Sequence, residues 1–183
     1  MTDTNQQYDA AVQACRDIFL KKTRDYGTSW RVLRPISIVD QIFIKAQRIR
    51  TIQEKGVHLV SDNVTDEFCG ILNYAVIGLI QAGLRNEAVE ELPVDKVQEL
   101  FDEKIGEAKR VMLDKNHDYG EAWRDMSQES FTDLILMKLM RIRQILLNDG
   151  KTLISEGIDA NFIDIINYAV FALILIAEGK HKG

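Results

Sequence analysis

The chain has 183 residues, enough for one domain or two small ones, and its 46% hydrophobic and 28% charged residues are typical of a soluble globular protein. The formal charge of −5 at pH 7 argues against binding a long nucleic acid, which requires a basic surface, but leaves room for a free nucleotide. With only two prolines, the composition favours helices over many short strands.

The N-terminus and the apolar segments predict a cytoplasmic protein that does not bind a membrane. No basic stretch precedes an apolar one at the N-terminus, so we expect no secretion signal. The longest apolar segment, 162–177, is shorter than a membrane span and contains Asp164 and Asn167, so we interpret it as a buried helix. Cys15 and Cys69 are expected in the core of a protein in a reducing compartment, because an internal repeat described below has apolar residues at their counterparts.

Three helices are predicted in the first half of the chain. Apolar residues recur at helical spacing over 8–19, and Gly27 is expected to end this helix with left-handed backbone. A second helix is predicted over 37–54, with the serine at its start as the N-cap. A third follows over about 66–84, after an irregular segment at 57–65.

The second half repeats this plan after a charged linker, residues 85–93, that ends in a proline. Its helices are predicted over 94–115, 130–148 and about 158–178. The last of these is apolar on nearly every side and therefore requires neighbours all round. A three-helix unit of this kind is too apolar to stand alone.

The repeat is visible in the residues themselves. Lys-Thr-Arg-Asp-Tyr-Gly-Thr-Ser-Trp-Arg at 22–31 returns as Lys-Asn-His-Asp-Tyr-Gly-Glu-Ala-Trp-Arg at 115–124. The register continues through the second helices and, after a shift of a single position, through an Asn-Tyr pair in the third helices. We therefore predict an all-α fold in which a first repeat, residues 1–84, and a second repeat, residues 94–183, pack as a pseudo-twofold helical bundle.

The second helix of each repeat carries a lysine where an apolar residue is expected. At 100° per residue, Lys45 and Lys138 are surrounded on the helical wheel by isoleucine and leucine. An unpaired buried ammonium is costly, so each lysine is expected to meet a carboxylate or a bound anion. Arg48 and Arg141 follow on the same helices and add positive charge.

The third helices offer polar partners. In the second repeat Asp164, Asn167 and Tyr168 form a line at i, i+3 and i+4. The first repeat keeps the Asn-Tyr pair but has Gly70 in place of the aspartate, and it places Asp66 one turn earlier. Each repeat thus keeps one acid of a possible pair.

The Asp-Tyr-Gly element supplies the third component. Asp25 and Asp118 come at the end of a helix, where the macrodipole disfavours an anion, so the arginine of the neighbouring second helix is expected to offset each one. The tyrosine and tryptophan of the element offer flat faces for a nucleobase. For Trp30 and Trp123, burial in the core is the favoured interpretation, and the Asp–Arg and Lys–Asp pairs are equally consistent with structural ion pairs.

These motifs carry a family resemblance. Lys-x-x-Asp-Tyr-Gly-x-x-Trp, then Asp-x-x-x-x-Lys-x-x-Arg-Ile-Arg, then Asn-Tyr-Ala resembles the nucleotide modification associated domain 1 family, carried twice over nearly the whole chain. The resemblance implies a link to free or modified nucleotides. The layout is also similar to all-α nucleoside triphosphate pyrophosphohydrolases of the MazG kind, which hold Mg²⁺ with Glu-x-x-Glu and Glu-x-x-Asp. The match to that acidic pattern is poor, because Asp133 on the second helix has no second acid one turn later. The resemblance also implies Asp-x-x-x-Asp-x-x-Asn-Tyr on the third helix, from which this chain departs at Gly70 and Ala160.

Three functions stay open at this point: Mg²⁺-dependent hydrolysis of nucleotides, binding of a nucleotide or phosphate without chemistry, and a structural or adaptor bundle. For hydrolysis, the expected metal ligands are Asp66, Asp133 and Asp164. Asp66 of the first repeat and Asp164 of the second could together form a composite metal site between the repeats. The expected catalytic residues are Asp118, Asp133, Lys138 and Arg141. The residues expected to bind a ligand are Lys22, Asp25, Tyr26, Trp30, Asp40, Lys45, Arg48, Asn73, Tyr74, Lys115, Tyr119, Trp123, Asn167 and Tyr168.

Overall fold

Six α-helices make up most of the residues that the computed structural model describes, which are 3–57, 59 and 62–183. In chain order they are α1 Thr4–Tyr26, α2 Pro35–Lys55, α3 Val64–Gly83, α4 Val94–Tyr119, α5 Gln128–Leu147 and α6 Ile158–Ala177. Short 3-10 helices, Ser29–Val32 and Ala122–Asp125, join α1 to α2 and α4 to α5. The all-α prediction is confirmed. Of the predicted irregular segment, residues 58, 60 and 61 lie outside the described residues, and its last two belong to α3.

The ends of the helices agree with some of the predicted caps and differ from others. Gly27 follows α1 with a φ of 66°, in the region that favours glycine, as predicted. The predicted serine cap of α2 is wrong, because Pro35 takes the first helical position, where its missing N–H costs nothing. At the start of α3, Asn63 and Asp66 form a reciprocal capping box. Asp66 is therefore engaged with the backbone of its own helix.

The two repeats pack around a pseudo-twofold axis. α3 lies against α6 and α2 against α5, while α1 contacts α6 as α4 contacts α3. Two matching ion pairs cross the interface between α2 and α5. Arg143 Nη2 lies 2.8 Å from Asp40 Oδ1, and Arg50 Nη1 lies 3.7 Å from Asp133 Oδ1. Since Asp40 corresponds to Asp133 and Arg50 to Arg143, these pairs are symmetry counterparts and hold the two repeats in register.

α6 is the central helix of the bundle. It is long and apolar enough to cross a membrane by length and composition, but 72% of its most apolar window is buried inside the protein. Burial on nearly every side is what its all-round apolar sequence predicts for a core helix. Cys15 and Cys69 are free and buried, as expected for small core residues.

The linker, residues 85–93, lies against the turn that follows α1. The backbone N–H of Thr28 donates to Glu91 Oε1 at 2.6 Å, and the N–H of Leu92 donates to Thr28 Oγ1 at 3.0 Å. These bonds satisfy backbone groups that the turn leaves without helical partners. They also fix the position of the segment that carries Trp30.

Candidate functional site

A cavity of about 690 Å³ lies in the first repeat between the end of α1, the Ser29–Val32 turn, α2 and α3. Its volume is in the range of small-molecule sites, roughly 300–1,000 Å³. The cavity gathers several residues that the sequence predicted for ligand binding or metal binding, together with Glu67, Gly70 and Ile77. The predicted residues on its wall are Lys22, Tyr26, Trp30, Lys45, Asp66, Asn73 and Tyr74.

Two differences between the repeats coincide with this cavity. In the second repeat the ring of Phe171 stacks on Trp123, with centroids 4.2 Å apart and an interplanar angle of 6°. The counterpart of Phe171 is Ile77, which lines the cavity beside Trp30. Trp123 is therefore a core residue, 6% exposed, whereas Trp30 is half-buried and borders open space. The smaller side chain at position 77 leaves the room that a benzyl group takes in the second repeat.

The second difference is a carboxylate. In the second repeat Asp164 Oδ1 accepts from Lys115 Nζ at 2.9 Å, and Asp164 Oδ2 lies 2.8 Å from Lys138 Nζ. The side chains of Asp164 and Lys138 are only 9% and 11% exposed, while that of Lys115 is 53% exposed. The lysine placed among apolar residues is thus buried and neutralised by a carboxylate of its own repeat, one of the two outcomes expected from sequence.

This pairing shifts the protonation of its neighbours. Burial of the Lys115 ammonium alone would lower its pKa, but the hydrogen bond and the charge of Asp164 outweigh burial and raise the pKa above the usual lysine value. Burial, with the charge of Asp164 as the second cause, raises the pKa of Tyr168. The charge of Asp164 therefore affects the pKa of both Lys115 and Tyr168.

The first repeat keeps both lysines but not the aspartate. Lys22 and Lys45 correspond to Lys115 and Lys138, and both line the cavity. Gly70, at the position of Asp164, contributes no charge. Lys45 Nζ lies 3.7 Å from a Glu67 carboxylate oxygen, and Lys22 forms no ion pair with any residue that the structure describes. Two ammonium groups thus border the cavity without the carboxylate that joins their counterparts.

Glu67 is the residue that sequence reasoning missed. Its side chain is 7% exposed and accepts from Arg48 Nη1 at 2.9 Å, while Arg48 Nη2 donates to the carbonyl of Asp62 at 2.6 Å. The second repeat has Asn161 at this position, so a search for residues kept in both repeats passes over it. The available signal was its spacing, because Glu67, Gly70 and Tyr74 lie at i, i+3 and i+7 on one helical face.

The predicted partners of the Asp-Tyr-Gly aspartates are wrong. Arg48 binds Glu67 rather than Asp25, and Arg141 Nη2 contacts the sulfur of Met137 at 3.7 Å rather than Asp118. The side chain of Asp118 is 76% exposed beside the ring of His117. Because these carboxylates project into water at the helix ends, solvent offsets the unfavourable helix dipole.

The three aspartates predicted to bind metal are held in different places. Asp66 Oδ2 accepts from the Asn63 backbone N–H at 3.1 Å, Asp133 lies beside Arg50, and Asp164 is bridged by lysines. Within the described part of the chain, no three Asp, Glu, His or Cys side chains come together as a metal-binding group. Neither the three-aspartate site nor the composite site between the repeats is assembled, because each carboxylate already has a partner elsewhere.

The two asparagines tie helices together. Asn73 Nδ2 donates to the carbonyl of Cys15 in α1 at 3.1 Å, and Asn167 Nδ2 donates to the corresponding carbonyl in α4 at 3.0 Å. Asn167 Oδ1 also accepts from the hydroxyl of Tyr8 at 2.7 Å. The counterpart of Tyr8 is Phe101, which has no hydroxyl, and Asn73 Oδ1 is buried without a hydrogen bond to any described residue.

The remaining predicted residues of the second repeat lie outside the cavity of the first repeat. Tyr119 is 74% exposed at the end of α4, as Tyr26 is at the end of α1. Lys138 and Arg141 border a shallow hollow of about 860 Å³ together with the loop over 147–156. The predicted residues of the first repeat therefore gather around one cavity more completely than their counterparts in the second repeat do.

Comparison with known proteins gives one family. A sequence model described as nucleotide modification associated domain 1 matches residues 22–82 and 115–176, which together make up more than half of the chain. The first segment begins at Lys22 and the second at Lys115, so each contains the lysine pair of its repeat. No curated protein and no solved structure matches the chain.

Proposed function

The chain belongs to the nucleotide modification associated domain 1 family, and from that premise we propose that its first repeat binds a nucleotide in the cavity between α1, α2 and α3. One observation carries the proposal: Lys22 and Lys45 border this cavity without the carboxylate that joins their counterparts in the second repeat. A nucleotide phosphate gives both lysines a shared anionic partner, whereas Glu67, 3.7 Å from Lys45, pairs with only one of them.

The cavity wall suits both parts of such a ligand. The Lys45 side chain is 28% exposed, so its ammonium attracts phosphate oxygens more strongly than an ammonium in bulk water does. Lys22 is exposed and adds a second positive charge on the cavity wall. Trp30 and Tyr74 border the same space, and Tyr26 stands at its edge, 73% exposed. Stacking of a base on one such ring contributes about 1–3 kcal/mol without requiring a specific base. Phosphate and base thus meet complementary groups within one cavity.

Mg²⁺-dependent hydrolysis of the bound nucleotide is the second candidate. Of the three aspartates predicted to bind metal, Asp66 is the one on the cavity wall, and Asp62 lines the same space. Mg²⁺ is commonly held by one or two carboxylates together with the phosphates of the substrate, so it needs no complete protein cage. In this candidate Lys22 and Lys45 offset charge that develops on the phosphates. Binding without hydrolysis is preferred because Glu67, the third acid on the wall, already pairs with Arg48 at 2.9 Å and with Lys45 at 3.7 Å and is not free to bind a metal.

The test is ligand-induced stabilisation. A nucleotide that binds only the folded chain raises its melting temperature, and titration calorimetry then gives Kd. We expect stabilisation by at least one nucleotide in the presence of EDTA. Stabilisation that requires Mg²⁺, with release of phosphate or pyrophosphate, would instead support hydrolysis.

The lysine variants locate the site. Lys22→Ala is expected to weaken binding about tenfold or more, whereas Lys21→Ala serves as the matched control because the adjacent Lys21 is exposed and lies outside the cavity wall. Absence of binding by every nucleotide, with and without Mg²⁺, would contradict the proposal. Equal nucleotide affinities of Lys22→Ala and Lys21→Ala would show that the nucleotide does not bind in this cavity.

A further inference from the structure

The second repeat provides an internal template for the ligand of the first. There, a single carboxylate accepts one lysine ammonium on each of its two oxygens, at 2.9 and 2.8 Å. The same two lysines are present in the first repeat, where Gly70 replaces the acid. By correspondence with the second repeat, the position of the Asp164 carboxylate falls at Gly70 in the first repeat. The end of the Lys45 side chain lies against this glycine, and Lys22 lines the same cavity.

The charges along the cavity limit how many anionic groups fit. Lys22 has no ion pair with a described residue, and Lys45 has one long contact, 3.7 Å to Glu67, which also accepts from Arg48 at 2.9 Å. These two lysines are the cations that a ligand can recruit, since Arg48 is held by Glu67 and by the carbonyl of Asp62. The carboxylates of Asp62 and Asp66 line the same cavity and repel further negative charge. A phosphate monoester carries about −1.5 to −2 at pH 7, which two ammonium groups balance. Every additional phosphate would bring charge that no remaining cation offsets.

We propose that the first repeat holds the phosphate of a nucleoside monophosphate between Lys22 and Lys45, in the place that the Asp164 carboxylate takes in the second repeat. This inference rests on the proposed function and narrows it to one class of nucleotide. It also explains why the second repeat needs no ligand: Asp164 occupies its anion position, and Phe171 fills the space next to Trp123. The protein then binds one nucleotide per chain.

Gly70 is the residue that leaves this position without a carboxylate. A Cβ at this residue would lie 2.9 Å from Cδ and Cε of Lys45 and 3.1 Å from its Nζ, so the lysine end occupies the space next to the helix backbone. These atoms are the flexible end of a side chain and can move aside. Gly70→Asp therefore places in the first repeat the carboxylate that the second repeat has. This carboxylate is covalently attached and competes with a ligand phosphate for Lys22 and Lys45.

The experiment compares the wild-type chain with Gly70→Asp and Gly70→Asn by titration calorimetry in EDTA. The probes are a nucleoside, its monophosphate, its triphosphate and inorganic phosphate. Gly70→Asn adds nearly the same volume without charge and controls for lost space. We expect the wild type to bind the monophosphate at one site per chain, at least tenfold more tightly than the nucleoside or the triphosphate. Gly70→Asp should lose about tenfold more affinity for the monophosphate than Gly70→Asn does.

Each contrary outcome has a distinct meaning. If Gly70→Asp and Gly70→Asn bind the nucleotide with equal affinity, the phosphate does not lie at the position of the Asp164 carboxylate. The proposed nucleotide binding would be unaffected by that result. Tighter binding of the triphosphate than of the monophosphate in EDTA would overturn the monophosphate class. Binding of inorganic phosphate that Gly70→Asp abolishes, with no binding of any nucleotide, would support the anion position and refute nucleotide binding. If neither nucleotides nor phosphate bind, both proposals fail.

Discussion

Removing the charge of Asp164 tests the electrostatic account of the second repeat most directly. Asp164→Asn keeps the shape of the side chain but leaves two lysines without a counterion. Lys115 is 53% exposed and can turn into water, whereas Lys138 is only 11% exposed and loses the carboxylate that neutralises it. Losing one partner of a buried pair costs about 3–5 kcal/mol. Because only one ammonium stays buried, we expect a loss of about 3 kcal/mol in the free energy of unfolding.

Urea denaturation followed by circular dichroism measures this loss, provided that the denaturant dependence stays unchanged. For a chain of this size about 3 kcal/mol lowers the melting temperature by about 6–12 °C. Lys138→Met should cost less, because Asp164 keeps Lys115 as its partner. The double variant Lys138→Met/Asp164→Leu, which replaces the pair by apolar groups, should lie close to the wild type. A cost below about 1 kcal/mol for Asp164→Asn would show that the carboxylate is not the required counterion of Lys138.

Phe101→Tyr should raise the free energy of unfolding by about 1 kcal/mol, because it supplies Asn73 Oδ1 with the hydroxyl donor that Tyr8 gives Asn167. Urea denaturation measures this change. A free energy of unfolding equal to or below that of the wild type would contradict the prediction. The raised pKa of Lys115 means that its pairing stabilises the folded chain fully below the unfolded lysine pKa, about 10.4, and that this contribution is lost as pH rises through the folded pKa. The wild type should therefore lose more stability than Asp164→Asn on going to more alkaline pH, and parallel pH profiles would argue against the pairing.

Much of the architecture was predictable because it depends on local spacing. Apolar periodicity and the turn glycines give helices whose ends are correct to within a few residues, and the repeated motifs predict a pseudo-twofold bundle. The burial of Lys138 also follows from its place on the wheel. These features depend on residues close together in the chain or on one pattern that occurs twice.

The partners of the charged groups were not predictable in the same way. Asp40 and Asp133 were expected at a ligand or metal site, but the packing of α2 against α5 places them opposite arginines of the other repeat. Glu67 was overlooked because only one repeat carries it. An ion pair depends on which helices meet and at what angle, and helical spacing contains no information about that.

Sequence by itself determined that this protein consists of two related all-α repeats and that each has a lysine among apolar residues. Only the tertiary structure decided that the repeats differ in what those lysines meet. In one, a carboxylate and a phenyl ring from α6 fill the space beside Lys138 and Trp123. In the other, Gly70 and Ile77 of α3 fill less space, so the end of Lys45 lies against Gly70 and a cavity borders Trp30. The physical reason is that a cavity is the volume left between side chains of separate helices, so its existence depends on their packing and on no single segment.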